Sequence, residues 1–198
     1  ISLSLSNGPS AQVQQSVVER KVHFGLVVNP PPHPDLVIVD MFRDAVDLFV
    51  ADTAVAENAG AAPLSFREAA ARIETSPLIY ASRIFQCLEI IERLTAHKIA
   101  PRQLLSCGDL ELVKSLTLAD VGVGLLPRRV AAYGQQGRLR RLHPELPFFA
   151  DTICLLFRGD LHRTKGALRL KEALIAHGKQ LDQLGDGFDP HRRGDDGG

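Results

Sequence analysis

Leu104-Leu-Ser-Cys-Gly-Asp-Leu-Glu-Leu-Val-Lys-Ser-Leu-Thr-Leu-Ala-Asp-Val-Gly-Val-Gly-Leu-Leu-Pro127 is the stretch whose reading decides the fold. Gln103 to Cys107 is a short apolar run of strand length. Gly108 breaks it, and Asp109 is placed to cap a helix carrying Leu112, Val113 and Leu116. Val121 to Leu126 is a second strand, stopped by Pro127. Strand, helix and strand in so few residues make a crossover unit, and crossover units build α/β sheets with parallel strands.

The pattern continues on both sides. Pro77 to Ala81 reads as a strand, and Ser82 as the cap of a helix with the stripe Ile84, Phe85, Leu88, Ile91 and Leu94. Ser65-Phe66-Arg67-Glu68 is a capping box opening a shorter helix. Near the start, Ile1, Leu3 and Leu5 alternate with serines as in a strand, and Asn7-Gly8-Pro9 ends it. Ser10 then caps a helix reaching about Arg20 with Val13, Val17 and Val18 on one face, and Val22 to Val28 is the next strand. These predict a second crossover unit. Leu36 to Asp40 and Ala45 to Ala51 read as two further strands with a turn near Arg43-Asp44. Thr152 to Phe157 reads as a buried strand, and Thr164 to about Leu181 as a long final helix.

Asp52 to Pro63 and Gly134 to Leu142 are turn-rich and read as two crossings between lobes. The expected organisation is a discontinuous first lobe of residues 1–51 and 148–185, a second lobe of 52–147, and a disordered Gly/Asp/Arg-rich tail of 186–198. Two α/β lobes imply a cleft. In open α/β sheets ligands sit beyond the carboxyl ends of the strands, where helix N-termini offer N–H donors to an anion. That rule selects Asn7, Gly8, Pro9, Ser10, Asn29, Ser82, Arg83, Cys107 and Gly108 as candidate ligand contacts. Each also has a plainer role: Ser10 and Ser82 as helix caps, Asn29 as a turn residue, Arg83 as a solvated cation, Cys107 as packing.

Composition narrows the function. Lysine plus arginine and aspartate plus glutamate both number 23, so the basic excess of a nucleic-acid surface is missing. No apolar run approaches the ~20 residues of a membrane span, and no signal peptide is visible. Cys87, Cys107 and Cys154 are far apart and odd in number, which fits a reducing, cytoplasmic compartment better than a disulfide scaffold. The seven histidines form no HxxxH or HExxH pattern, so no metal or other cofactor is expected. Gly8-Pro9-Ser10-Ala11-Gln12 imitates a nucleophile elbow, but Gln12 replaces the second glycine. Gly122-Val123-Gly124 has Pro127 where a dinucleotide fingerprint needs its third glycine, leaving close backbone packing as its role.

Leu104 to Pro127 resembles the LysR-family stretch in which a strand, a polar turn and a helix lead to "lv..G.Gi.llP". Leu3 to Pro30 is similar to the same family's "l.l..G.s..l...v..g.ldlgiv..p". Thr152 to Leu181 fits the family's returning strand and final helix, so the resemblance covers about residues 1 to 182. It departs at His23, where the family usually has an acid, and at Pro9, where a hydroxyl residue is common. The resemblance implies a two-lobed fold like type 2 periplasmic binding proteins. Its function would be that of the ligand-sensing regulatory domain of a LysR-type transcription regulator, with a small, anionic or polar effector between the lobes. It implies a homodimer or tetramer, and DNA contact only through a winged helix-turn-helix preceding Ile1. The domain's usual first strand–helix unit would also precede Ile1. The alternative with the same fold is a periplasmic solute-binding protein of a transport system. An enzyme would need a paired nucleophile and base, and the sequence offers none.

Overall fold

Pro77–Ala81 (β3), Gln103–Cys107 (β4) and Val123–Pro127 (β5) form strands where the apolar runs predict them. β3 pairs parallel with β4 on one side and with β5 on the other. The helices between them are Phe85–Ala96 (α3) and Leu110–Leu118 (α4). The computed structural model describes residues 3–52, 64–134, 138–160 and 164–184. Its remaining elements are Ser10–Val18 (α1), Gly25–Val28 (β1), Leu36–Ala51 (β2), Phe66–Thr75 (α2), Arg128–Ala132 (α5), Leu139–Arg141 (β6), Phe149–Arg158 (β7) and Lys165–Leu184 (α6). The chain divides into two compact units. One is Ile1–Asp44 with Asp151–Gly185, and the other contains Ala45–Ala150.

In the larger unit the strand order is β2, β5, β3, β4, with β6 on the other side of β2. β2 runs antiparallel to both β5 and β6. One face of this sheet buries Leu48, Val50, Leu78 and Leu125 against Ile73 of α2 and Cys87, Ile90 and Leu94 of α3. The opposite face buries Phe49, Ile79 and Leu126 against Val113 of α4 and Ala131 of α5. In the smaller unit β7 lies between β1 and β2, and Val17 of α1 packs with Val27 and Leu156.

Several local expectations change. Residues 3–9 carry no helix or strand, so the first crossover unit does not form, and β1 instead pairs antiparallel with β7. A strand exists only where a neighbour completes its ladder, and alternation in one segment cannot supply that neighbour. Arg43-Asp44 is no turn: β2 is continuous, and the Arg43 N–H is held by Asp182 Oδ1 at 3.0 Å. The buried row of α3 is Cys87, Ile90 and Leu94, whereas Phe85 and Leu88 are exposed. The helix is apolar over a wide arc, and Cys87, absent from the stripe as read, behaves as a small hydrophobe. Within the Gly134–Leu142 crossing the chain makes β6, and α5 precedes it. Residues 53–63 of the other crossing, and the tail of 186–198, lie outside the described residues.

The capping box of α2 forms as read: the Glu68 N–H reaches Ser65 Oγ while the Glu68 carboxylate accepts from the Ser65 N–H. The glycines of Val121–Leu126 hold two backbones close. A Cβ on Gly122 would stand 2.2 Å from Pro77 O, and one on Gly124 would stand 2.1 Å from Thr117 Oγ1. Gly124 therefore sets how closely α4 lies on β5. Gly124→Ala should destabilise the fold by about 1–3 kcal/mol, the usual range for overpacking. Thr117→Ala in the same chain should recover part of that loss. Denaturant titration of both variants and the pair gives the coupling, and purely additive losses would show that the clash lies elsewhere.

Candidate functional site

β3 and β4 lie parallel with Ala81 opposite Cys107. Their carboxyl ends therefore stop side by side, and the turn Ser82-Arg83 stands next to Cys107-Gly108. The Ser82 N–H donates to Cys107 O at 3.4 Å, which ties the two turns. Ser82 is not the helix cap. α3 starts at Phe85 with Ile84 at its N-cap, and no side chain caps it. The turn is closed by backbone instead, with the Ile84 N–H on Ala81 O at 3.1 Å. Ser82 and Arg83 are left exposed at the strand ends.

α4 begins at the same edge and is capped: Asp109 Oδ1 accepts from the Leu112 N–H at 2.8 Å. The carboxylate is thus turned onto its own helix. Gly108 is open, since a Cβ there would meet no atom within 4 Å. Cys107 is buried. Burial and then the Asp109 carboxylate push its thiol pKa upward, so it stays a neutral thiol and no nucleophile.

The smaller unit brings together the other candidates. Ser10 is the first residue of α1, whose N-cap is Pro9 with no side-chain cap bond. Its Oγ accepts instead from the Val28 N–H at 3.2 Å. Asn7, Gly8 and Pro9 lead into that helix, with Gly8 beside the Gln12 side chain. Ser10, Gln14, Asn29, Pro30, Pro31 and His33 share a pocket of about 400 Å³. Asn29 sits at φ 44°, in the left-handed region that Asn tolerates better than most residues. Its side chain bonds both ways across to β7: Nδ2 donates to Asp151 Oδ1 and Oδ1 accepts from the Thr152 N–H, each at 2.8 Å. Asn29 therefore shapes the pocket wall as a latch on β7.

Sequence reasoning missed a buried ionic group. Asp47 is fully buried in β2. Arg128 of α5 bonds its Oδ2 at 3.1 Å and 2.9 Å through Nε and Nη2, and Arg141 of β6 pairs with the same oxygen. Both guanidinium groups also lie over the Phe148 ring, at 5.2 and 5.5 Å from its centre. Burial pushes the Asp47 carboxyl above its ordinary value, against the pull of Arg141, the Leu48 N–H and Arg128. The signal was an acid inside the apolar run Ala45-Val-Asp-Leu-Phe-Val-Ala51.

Among the described residues no three histidine, cysteine, aspartate or glutamate side chains gather as a metal site, and no helix is long and apolar enough to cross a membrane.

A mixed sheet with helices on both faces, and paired turns at its carboxyl edge, define a binding domain of the periplasmic-binding-protein type. The family model described as LysR substrate binding domain matches residues 1–179, and the chain belongs to that family, the effector-binding domains of LysR-type transcriptional regulators. No curated protein sequence matches it. Among solved structures, the apo regulatory domain of HypT from Salmonella typhimurium is similar with a TM-score of 0.68 at 14% identity, covering 90% of this chain and 83% of that one. The cofactor-binding domain of the Cbl transcriptional regulator gives 0.61 at 20% identity, covering 89% and 77%. Full-length CbnR in complex with its target DNA gives 0.58 at 16% identity, covering 88% and 59%. At these identities the likeness shows the fold.

Two predictions follow from the side chains. Asn29→Ala loses both side-chain bonds and keeps a strained φ, so it should cost about 1–3 kcal/mol. Asn29→Gly, which relieves the strain, should cost less in the same denaturation assay. Cys154 donates to Asp40 Oδ1 at 3.4 Å, and burial followed by that carboxylate raises its pKa to about 11. Below the ordinary thiol value of about 9 both states are protonated and its contribution is intact. As pH rises toward 11 the unfolded chain loses the proton first, so stability falls. Melting curves across that window should decline more steeply for the native chain than for Cys154→Ala.

Proposed function

We propose that this domain senses a small anionic or polar organic effector, and that Ser82, Arg83, Cys107 and Gly108 form the recognising edge of the larger unit. The register of Ala81 with Cys107 carries this reading, because it sets two helix starts and two turns at one edge. α3 starts there with no acidic residue in its first turn, and the positive end of its dipole suits an acceptor atom of a ligand. Arg83 adds a positive charge, and Asp109 is occupied in capping. Within the smaller unit, Asn7, Gly8, Pro9, Ser10 and Asn29 are the proposed contact residues, with Ser10 and Asn29 on one pocket wall.

The regulator reading is supported by family membership and by the fold shared with the DNA-bound CbnR. On this reading DNA is contacted by a winged helix-turn-helix domain N-terminal to this one, in a cytoplasmic homo-oligomer. The effector acts by preferring one of two arrangements of that oligomer, and its differential affinity is the whole of the signal. The domain then needs no catalytic group.

Gly108 gives the test. Its surroundings are empty, so Gly108→Val should leave the melting temperature almost unchanged. The isopropyl group would fill the space beyond β4. A panel of mono- and dicarboxylates, sulfate and phosphate, scored by thermal shift and then by calorimetry, should contain at least one binder of the native domain. That binder should lose at least tenfold in affinity in Gly108→Val, and less in Arg83→Ala. Binding that survives Gly108→Val moves the site away from this edge, and a panel without binders removes the anionic class.

A further inference from the structure

Val50 and Arg140 stand opposite one another in the ladder of β2 with β6, so their side chains lie on one face of the sheet. That is the face α2 covers, since Val50 packs in the cluster that holds Ile73. Between α2 and this end of the sheet is a pocket of about 480 Å³. Its floor is apolar, made by Val50, Ala51, Leu64 and Ala71. It lies where β2 ends and β5 begins, at the opposite end of the larger unit's sheet from Ser82 and Gly108.

The charged side chains lining the pocket are Glu68, Arg72, Asp120 and Arg140. The first three are occupied. Arg72 donates through Nη2 to Asp120 Oδ1 at 2.7 Å. The Glu68 carboxylate accepts from the Ser65 N–H at 2.8 Å and from Ser65 Oγ at 2.6 Å. Arg140 is half-buried, and among the described residues its side chain has no hydrogen bond or ion pair. The pocket thus sets one unanswered cation over an apolar floor. A guanidinium takes a carboxylate through two parallel N–H···O bonds, and partial burial strengthens that pairing over its value in water. An apolar lining with one or a few placed polar groups is the general make-up of a small-molecule site.

We propose that this pocket is a second ligand site, which takes a small organic monocarboxylate with an apolar body and receives its carboxylate at Arg140. The apolar body lies on Val50, Leu64 and Ala71. A second negative charge on the ligand would face Glu68 and Asp120, and an inorganic anion would leave the floor uncovered. The site belongs to the larger unit alone and does not rest on the effector edge.

Calorimetry on the full chain with hexanoate and phenylacetate tests it, with hexanamide, phenylacetamide and inorganic phosphate as controls. At least one of the two carboxylates should bind, its amide at least tenfold more weakly, and phosphate not at all. Arg140→Gln removes the charge and should lower that carboxylate's affinity at least tenfold, while Arg140→Lys should keep more of it. Ala71→Phe, on an exposed position of α2, fills the floor and should abolish binding. Neither native side chain makes a hydrogen bond among the described residues, so both variants should melt as the native chain does without ligand. Gly108→Val should leave this binding unchanged, which separates the pocket from the carboxyl edge. Failure of both carboxylates to bind, equal binding of the amide, or an affinity untouched by Arg140→Gln and Ala71→Phe overturns the proposal. A loss in Gly108→Val as large as in Arg140→Gln also overturns it, by assigning the probe to the effector edge.

Discussion

The parallel pairing of β4 with β3, from Pro77 opposite Gln103 to Ala81 opposite Cys107, is the constraint on which the larger unit rests. Parallel neighbours need a crossover, and α3 supplies it over the sheet face that holds Leu78 and Leu125. α4 returns over the other face, where Gly124 admits Thr117 to van der Waals range. With both crossovers made, both helix starts must fall at the carboxyl edge. The candidate site follows from topology before any side chain is chosen, and the side chains only set its chemistry.

Two buried charged groups sit beneath that edge. Asp47 is surrounded by apolar strand residues and paired with Arg128 and Arg141. Lys114 of α4 is 5% exposed, and donates to Val130 O at 2.8 Å and Tyr133 O at 2.5 Å, carbonyls at the end of α5. Such groups add little net stability compared with apolar residues of the same size, yet removing one partner costs about 3–5 kcal/mol. Their effect is on placement. Arg128 fixes the start of α5 to β2, and Lys114 fixes its end to α4, so a helix of five residues, too short to hold itself, has one position.

The sequence reading located most elements from periodicity, because each buried row or alternating run has its partner nearby: the capping box of α2, the strands β3, β4 and β5, and Asp109 on α4. It failed where a partner distant in sequence decides the outcome. Leu3 and Leu5 alternate as a strand does, but among the described residues no strand pairs them. Ser10 and Ser82 have the composition of caps, yet Ser10 turns to Val28 and the backbone closes the Ser82 turn. Asn29 read as a turn residue or a wall residue, and its side chain is drawn to the Asp151 carboxylate and the Thr152 N–H of a strand more than a hundred residues on. α5 has no apolar period of its own and depends on Lys114 and Asp47, so nothing local announces it.

The sign of the charge at the candidate edge follows from how Asp109 is used. A free carboxylate beside Gly108 would repel an anion by about 4 kcal/mol at 4 Å and an effective dielectric constant near 20. Held at 2.8 Å on the Leu112 N–H, the carboxylate is paired with the positive end of α4, and the two charges largely cancel toward the edge. α3 has no such acid at its start, its first turn containing none, and Arg83 precedes it. The edge therefore keeps one uncompensated acid at α4, Glu111 in its first turn, and is positive at α3. On the reading proposed above, an effector with one acidic group and a polar remainder matches that asymmetry better than a dianion, which would place its second charge where the α4 dipole is already satisfied and Glu111 repels it.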